Sequence, residues 1–277
     1  MTALETPVLG RDALDAVVAL CNRSLSRPLL RTDLDGALFA PDQPVVLRGD
    51  PSVGVVAAVP GEPGGSIRLL VVDPAHRGNG HGHTLLVAAQ ADLAQSTVIT
   101  VGADAPYYLF PGVETSEIEM LSLLEHHRYQ REEANFNMSV DVSRLPPDPG
   151  GTELATTAER EEVAQWMDEH WANWTPEVLR ALDHGSLLLA RDESGITGFC
   201  AWNVNRGGLL GPIASRPDLV GRGVGRPLLL GALHRMAETT ADTAAPIEIS
   251  WVGPIVPYAA IGCRVSRVFF VYRKRRK

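Results

Sequence analysis

The chain has 277 residues, 45% of them hydrophobic and 21% charged, with a formal net charge of -8. That balance describes a folded chain with a sizeable core and argues against nucleic acid as its principal partner, because binding phosphate at scale needs a basic face. Three cysteines, Cys21, Cys200 and Cys263, are odd in number and form no Cys-x-x-Cys pair, so they read as buried thiols rather than a disulfide framework or zinc ribbon. The start, Met1-Thr-Ala-Leu-Glu-Thr, has neither a basic nor an apolar leader region, and no apolar run approaches membrane-spanning length. A cytoplasmic protein without a membrane partner is the expectation.

In chain order, residues 12–25 have helical periodicity, and apolar runs at 45–48, 53–59 and 67–72 read as strands. A helix over 82–94, a strand at 97–101, an irregular stretch at 105–112, a helix over 116–127 and a strand at 136–142 follow. The segment 144–151, Arg-Leu-Pro-Pro-Asp-Pro-Gly-Gly, is rich in chain breakers and marks a linker between domains at 1–143 and 152–277. The order then repeats: helices at 159–171 and 176–183, strands at 187–191, 198–203 and 209–214, a helix over 225–239, a strand at 247–251, a short helix at 257–261 and a strand at 264–272.

The repeat is explicit at two glycine turns. Val72-Asp-Pro-Ala-His-Arg-Gly-Asn-Gly-His-Gly82 and Ser215-Arg-Pro-Asp-Leu-Val-Gly-Arg-Gly-Val-Gly225 align at an offset of 143, which pairs Gly78 with Gly221, Gly80 with Gly223 and Gly82 with Gly225. Each turn joins an apolar strand to a helix. Glycines there let a ligand approach the backbone and leave the first helical N–H groups free for an anion, with a phosphate or pyrophosphate as the natural occupant. A dinucleotide fingerprint would need further glycines where His83, Leu85, Arg226 and Leu228 stand, and no Gly-Lys-Ser or Gly-Lys-Thr follows to make a P-loop.

The pattern that remains, Arg77-x-x-Gly80-x-Gly82 after the strand Ile67-Arg-Leu-Leu-Val-Val72, resembles the acyl-CoA motif of the GNAT N-acyltransferase superfamily. The second turn has Val220 where Arg or Gln is usual. The stretches Glu248-Ile-Ser-Trp-Val-Gly-Pro, Tyr258-Ala-Ala-Ile-Gly262 and Arg267 to Lys274 are similar to the end of tandem GNAT proteins, so the resemblance covers most of the chain. It implies an α+β protein of two tandem GNAT folds, each a mixed, mostly antiparallel sheet flanked by helices. It also implies acetyl-CoA as acyl donor, no metal, and a small-molecule amine as acceptor; some relatives acetylate amino sugars, and others build an amide in thiol-cofactor synthesis. In that reading Leu70, Val71 and Val72, or Ile213, Ala214 and Ser215, hold the pantetheine arm. Arg77, Gly78, Gly80, Gly82, His83 and Thr84, with Gly221, Gly223, Gly225 and Arg226, hold the pyrophosphate.

Tyr258 matches the family's Tyr-x-x-x-Gly, in which the tyrosine protonates the departing thiolate, and a phenol stays protonated at neutral pH. The first half has Leu124 and Arg128 in the corresponding places. Either the second half catalyses with a tolerant turn, or the first half binds CoA and draws its acid from Tyr107, Tyr108 or the other domain; the second half is preferred, because backbone amides can hold an anion without the arginine. Glu248 and His184 are candidate general bases, and a water relay would leave no mark in the sequence. His170, Trp171 and Trp174 could wall an acceptor or belong to the core. His76, His81 and His83 read as weakly basic phosphate contacts or solvated side chains, not a metal site, for want of a spaced Cys or carboxylate. His126 and His127 read as helix-end surface residues, and the basic tail Arg273 to Lys277 as a solvated terminus. The competing reading is an acyl-CoA sensor that binds without turnover.

Overall fold

The structure, a computed structural model, describes residues 4–240 and 247–276. Met1 to Ala3, the first residues of the leader argument, and Lys277 of the basic tail lie outside the described residues. The chain forms two compact units, 1–135 with 268–277, and 136–267.

Unit 1 opens with helices α1 (Leu14–Ser24) and α2 (Arg31–Leu38), then strands β1 (Val46–Asp50), β2 (Gly54–Val59) and β3 (Gly64–Val72). Helix α3 (His81–Asp92), strands β4 (Val98–Val101) and β5 (Val113–Glu114), and helix α4 (Ile118–His126) follow, and β6 (Gln130–Ser139) carries the chain into unit 2. Unit 2 has β7 (Thr152–Leu154), α5 (Arg160–His170), α6 (Thr175–Asp183), β8 (Leu187–Asp192), β9 (Gly195–Trp202), β10 (Leu209–Ser215), α7 (Gly225–Thr240), β11 (Glu248–Ile249) and α8 (Val256–Ala259). The last strand, β12 (Arg264–Arg275), returns the chain to unit 1.

The sheet of unit 1 runs β1-β2-β3-β4-β12, with β5 also on β12; all its pairs are antiparallel except β3 with β4. In unit 2 the order is β6-β11-β10-β9-β8-β7, again with a single parallel pair, β10 with β11. The mixed, mostly antiparallel sheet expected of each half is what forms.

Side-chain alternation assigns the two faces. In β2, Val55 and Ala57 pack under α1 and α2, while Val56 and Ala58 meet Leu85, Leu86 and Ala89 of α3. Each fully buried leucine of that kind contributes about 1.5–3 kcal/mol. The alternation breaks at one place in β3: Ile67 faces α3 but Leu69 faces α1, because Arg68 is an extra residue that no residue of β2 opposes. Such a one-residue bulge shifts the register and turns the following side chains over. Unit 2 repeats it at the offset of 143. Leu210 and Ile213, three apart, share the α7 face, and the register with β9 shifts between them.

The compact units differ from the two halves of the sequence at both ends. Residues 268–277 lie in unit 1, where Tyr272 to Arg275 pair with β4, and 136–139 lie in unit 2, where Met138 and Ser139 pair with β11. An antiparallel ladder on the far side of the parallel pair is the same requirement in both units, and each is met by a strand from elsewhere in the sequence.

Helix α2, strands β5 and β7 and the start of β6 escaped the sequence. Helix α2 is short and contains Gly36; β5 and β7 have two and three residues; and β6 starts at Gln130 on charged residues that carry no apolar alternation. The basic tail is also not a solvated terminus. Arg273 and Arg275 pair with Glu132, and Arg276 donates to the carbonyls of Gln90 and Leu93 at the end of α3, 2.6 and 2.9 Å away.

Candidate active site

Both glycine turns have the conformation that an anion site needs, and they have it residue for residue. After β3, Asp73 (φ -51°, ψ 130°) leads through a single turn at Pro74–His76 to Gly78 (φ 76°) and Gly80 (φ 81°), which starts α3. After β10, Arg216 (φ -51°, ψ 137°) leads through Pro217–Leu219 to Gly221 (φ 79°) and Gly223 (φ 93°) before α7. The positive φ values require glycine. A Cβ at Gly78, Gly80, Gly221, Gly223 or Gly225 would meet nothing within 4 Å, so the faces of both turns are open. Gly82 is different: a Cβ there would stand only 3.2 Å from the Leu123 side chain. In α3 the first helical bond is Thr84 N–H to Gly80 C=O at 3.1 Å, which leaves the amides of His81, Gly82 and His83 at the positive end of the helix.

A cleft of about 620 Å³ lies against the first turn. Its lining includes Leu70, Val71 and Val72 of β3, the turn from His76 to His83, and Ile118 to His126 along α4. It gathers the residues expected to hold pantetheine and pyrophosphate in unit 1, except that Thr84 lies one position beyond it. The histidines are close-set: His83 Nδ1 and His127 Nε2 share a proton at 2.9 Å, so at least one ring of the pair is neutral. Burial, then the neighbouring charge of His83, lowers the pKa of His127, which is thus not a plain surface residue. No cluster of three or more His, Cys, Asp or Glu among the described residues is arranged to hold a metal ion.

Arg77 does not present its guanidinium as an unpaired phosphate ligand. Nε donates to the Val72 carbonyl at 3.2 Å and Nη2 to the Ser24 carbonyl at 3.1 Å, tying the end of α1 to the end of β3. In unit 2 the equivalent of Val72 is Ser215, and its carbonyl accepts the indole N–H of Trp171 at 3.1 Å. Trp171 follows the end of α5, as Leu25 follows the end of α1. The same helix end is thus tied to the same strand end by a tryptophan where Val220 has replaced the arginine. Trp171 stacks on Trp174 at 5.2 Å, and Trp174 stands edge-on to Phe199; both tryptophans are partly buried on the core beneath α5 and α6.

The paired strands part at the same place in both units. Pairing of β3 with β4 ends at Ile67 and Val101, that of β10 with β11 at Leu210 and Ile249, each closed by one more bond, from Gly102 and Ser250 respectively. Beyond it, residues 70–72 and 213–215 carry a strand edge that an extended amide-containing chain could use.

Tyr258 is 8% exposed and packs in one cluster with Leu210, Cys200 and Cys263, against which Ile213 and Val224 also lie. Burial first, then the neighbouring cysteines, push its pKa up to about 12, so the hydroxyl carries its proton at any working pH. The three cysteines are buried and unpaired, as expected.

Glu248, one of the candidate general bases, is buried among charged partners. It is 2% exposed, it receives the guanidinium of Arg206, it accepts from Asn137 at 3.2 Å, and Arg267 stands 3.5 Å away. Two guanidinium groups beside one carboxylate favour its charged form and weaken it as a proton acceptor. His184 is exposed at the end of α6. Tyr107 donates its hydroxyl to Asp42 at 2.6 Å, so that proton is committed.

Two mostly antiparallel sheets, each with one parallel pair that parts beside a glycine turn opening a helix, have the GNAT fold in tandem. Solved structures agree. The GCN5-related N-acetyltransferase from Sphaerobacter thermophilus has a TM-score of 0.71 at 17% identity, covering 98% of this chain and 95% of that one. The tandem GNAT protein from the clavulanic acid biosynthesis pathway gives 0.69 at 17%, with 98% of each chain covered. A GCN5-related glucosamine N-acetyltransferase region in a fungal multidomain GH3 β-N-acetylglucosaminidase gives 0.75 at 18%, and there this chain, 99% covered, spans 38% of the larger protein. Among curated proteins, the mycothiol acetyltransferase of Kineococcus radiotolerans is 29% identical over 259 residues, 85% of this chain and 84% of that one. No family model matches the chain. No helix among the described residues is long and apolar enough to cross a membrane.

Proposed function

We propose that this chain is an N-acetyltransferase that moves an acetyl group from acetyl-CoA to a primary amine of a small molecule, with the chemistry in unit 2. The observation that carries the assignment is Tyr258, a buried phenol held neutral, in the same core cluster as Leu210 and Ile249, the last pair of β10 and β11. The donor's pyrophosphate would lie on the turn from Gly221 to Arg226 and its pantetheine arm along Ile213, Ala214 and Ser215. A neutral amine attacks the acyl carbon; the C–N bond forms, the C–S bond breaks, and the thiolate takes the proton of Tyr258. With Glu248 occupied, the nitrogen's proton passes to water. Unit 1 would hold a second acyl-CoA in the 620 Å³ cleft.

The names of the relatives point to an amine on a sugar or on a mycothiol-like thiol, and an amino sugar is the first acceptor to try. A thiol-release assay over an amine panel, beside calorimetry with CoA, tests the proposal. Turnover with any amine supports it. CoA binding without turnover on the whole panel favours the sensor.

A further inference from the structure

We propose that Arg68 is a built-in plug of the acceptor space in unit 1, and that the same space in unit 2, left open over Gly211, is where the amine meets the acyl group. The proposal rests on the acyl-CoA reading of the two turns. At the offset of 143, Arg68 and Gly211 are equivalent, each following the last residue of its strand that is paired across the parallel junction, Ile67 or Leu210. A donor with its pyrophosphate on the glycine turn and its arm along the strand edge runs back toward these residues. From Asp73 to Arg68 is five strand residues, about 16 Å at ~3.3 Å each, so the thioester end arrives at the bulge.

In unit 1 that end is filled. Arg68 is 5% exposed, and its guanidinium donates to Asp104 at 2.6 Å, to the Ala37 carbonyl at 2.5 Å and to Gln43, with the ring of Tyr107 5.4 Å below it. A buried charge satisfied by so many partners is held in place, because releasing it would strand both the guanidinium and Asp104. The cleft against the first turn agrees: its lining takes in Leu70, Val71 and Val72 and no earlier residue of β3. Unit 1 supplies, from its own chain, the cation that this space receives.

In unit 2 the equivalent position, Gly211, has no side chain to fill it. A Cβ built on Gly211 would meet nothing within 4 Å, and the φ of 132° strains any side chain placed there, so the opening is held by the backbone.

The test counts ligands per chain. Calorimetry on the full chain uses CoA and a bisubstrate probe, CoA whose sulfur is joined through a methylene amide to the nitrogen of glucosamine. Two CoA but one bisubstrate per chain are expected, with the second site at least a hundredfold weaker for the probe. The variant pair Arg68→Ala and Arg68→Met, each with Asp104→Asn so that no carboxylate loses its partner, separates a plug from a loss of charge. The Ala form should take two probes and the Met form one. Two probes in wild type overturn the plug, no probe in wild type overturns the opening over Gly211, and one in the Ala form overturns the role of Arg68. Should the variants fail to fold, the wild-type contrast decides. One CoA per chain would instead overturn the underlying two-site reading.

Discussion

Replacing Trp171 with Phe tests whether unit 2 has a substitute for the arginine missing at Val220. The change keeps an aromatic ring to stack on Trp174 and deletes one hydrogen bond, the 3.1 Å contact from the indole to the Ser215 carbonyl. Losing a bond of this kind while its acceptor stays half-buried costs about 1–3 kcal/mol. Because Ser215 ends the strand edge proposed to hold the donor, that cost falls on CoA binding, roughly a tenfold loss of affinity per 1.4 kcal/mol. Calorimetry with the first turn disabled by Gly80→Asp isolates the second site, and kcat should change less than KM. Adding Val220→Arg should then recover most of the loss, since the equivalent Arg77 reaches the carbonyls of Val72 and Ser24 at 3.2 and 3.1 Å. Unchanged CoA affinity in the Phe variant, or no recovery with the arginine, would refute the reasoning.

Tyr258→Phe should keep fold and CoA affinity and lower kcat by roughly two orders of magnitude or more; a rate within a few-fold of wild type would move the chemistry elsewhere. Because burial lifts that hydroxyl to about 12, wild-type activity should show no alkaline fall due to it across the usable pH range, and a fall below pH 9 that the Phe variant abolishes would contradict the assignment. Gly80→Asp alone places a negative side chain on the open face of the first turn and should reduce CoA from two per chain to one. Glu177 is 2% exposed, and burial raises its pKa from 4.5 to about 7. The folded chain therefore binds this proton more tightly than the unfolded one. The associated stability is fully present below about pH 4.5 and is lost as pH rises toward 7, an effect of roughly 3 kcal/mol. Glu177→Gln, which can still meet Asn205, should raise the melting temperature relative to wild type at pH 8 and leave it little changed at pH 4.5; a lower melting temperature at pH 8 would contradict this.

The duplicated glycine turn was legible in the sequence, because positive φ values can be met at low cost only by glycine, and the pattern of such positions survives translation from chain to coordinates. The main helices and strands of both units were legible for a related reason: one buried face imposes a period on apolar residues. The elements that escaped, α2 and the charged start of β6, lack that period. Within the candidate site, what surrounds Tyr258 and the strand edges depends on residues far apart in the chain. No local pattern reveals that Arg77 spends its donors on two backbone carbonyls, that Trp171 takes up one of those bonds in unit 2, or that two guanidinium groups tie up Glu248. The sequence by itself determined the two-fold plan, since the period of a repeat and the conformational freedom of glycine are properties of the chain alone. Only the tertiary structure decided that the Arg68 guanidinium meets Asp104, Ala37 and Gln43 in unit 1, while a Cβ on Gly211 in unit 2 would meet nothing within 4 Å. Whether a buried charge is matched, or a gap is left, depends on which distant atoms the fold brings within hydrogen-bond reach.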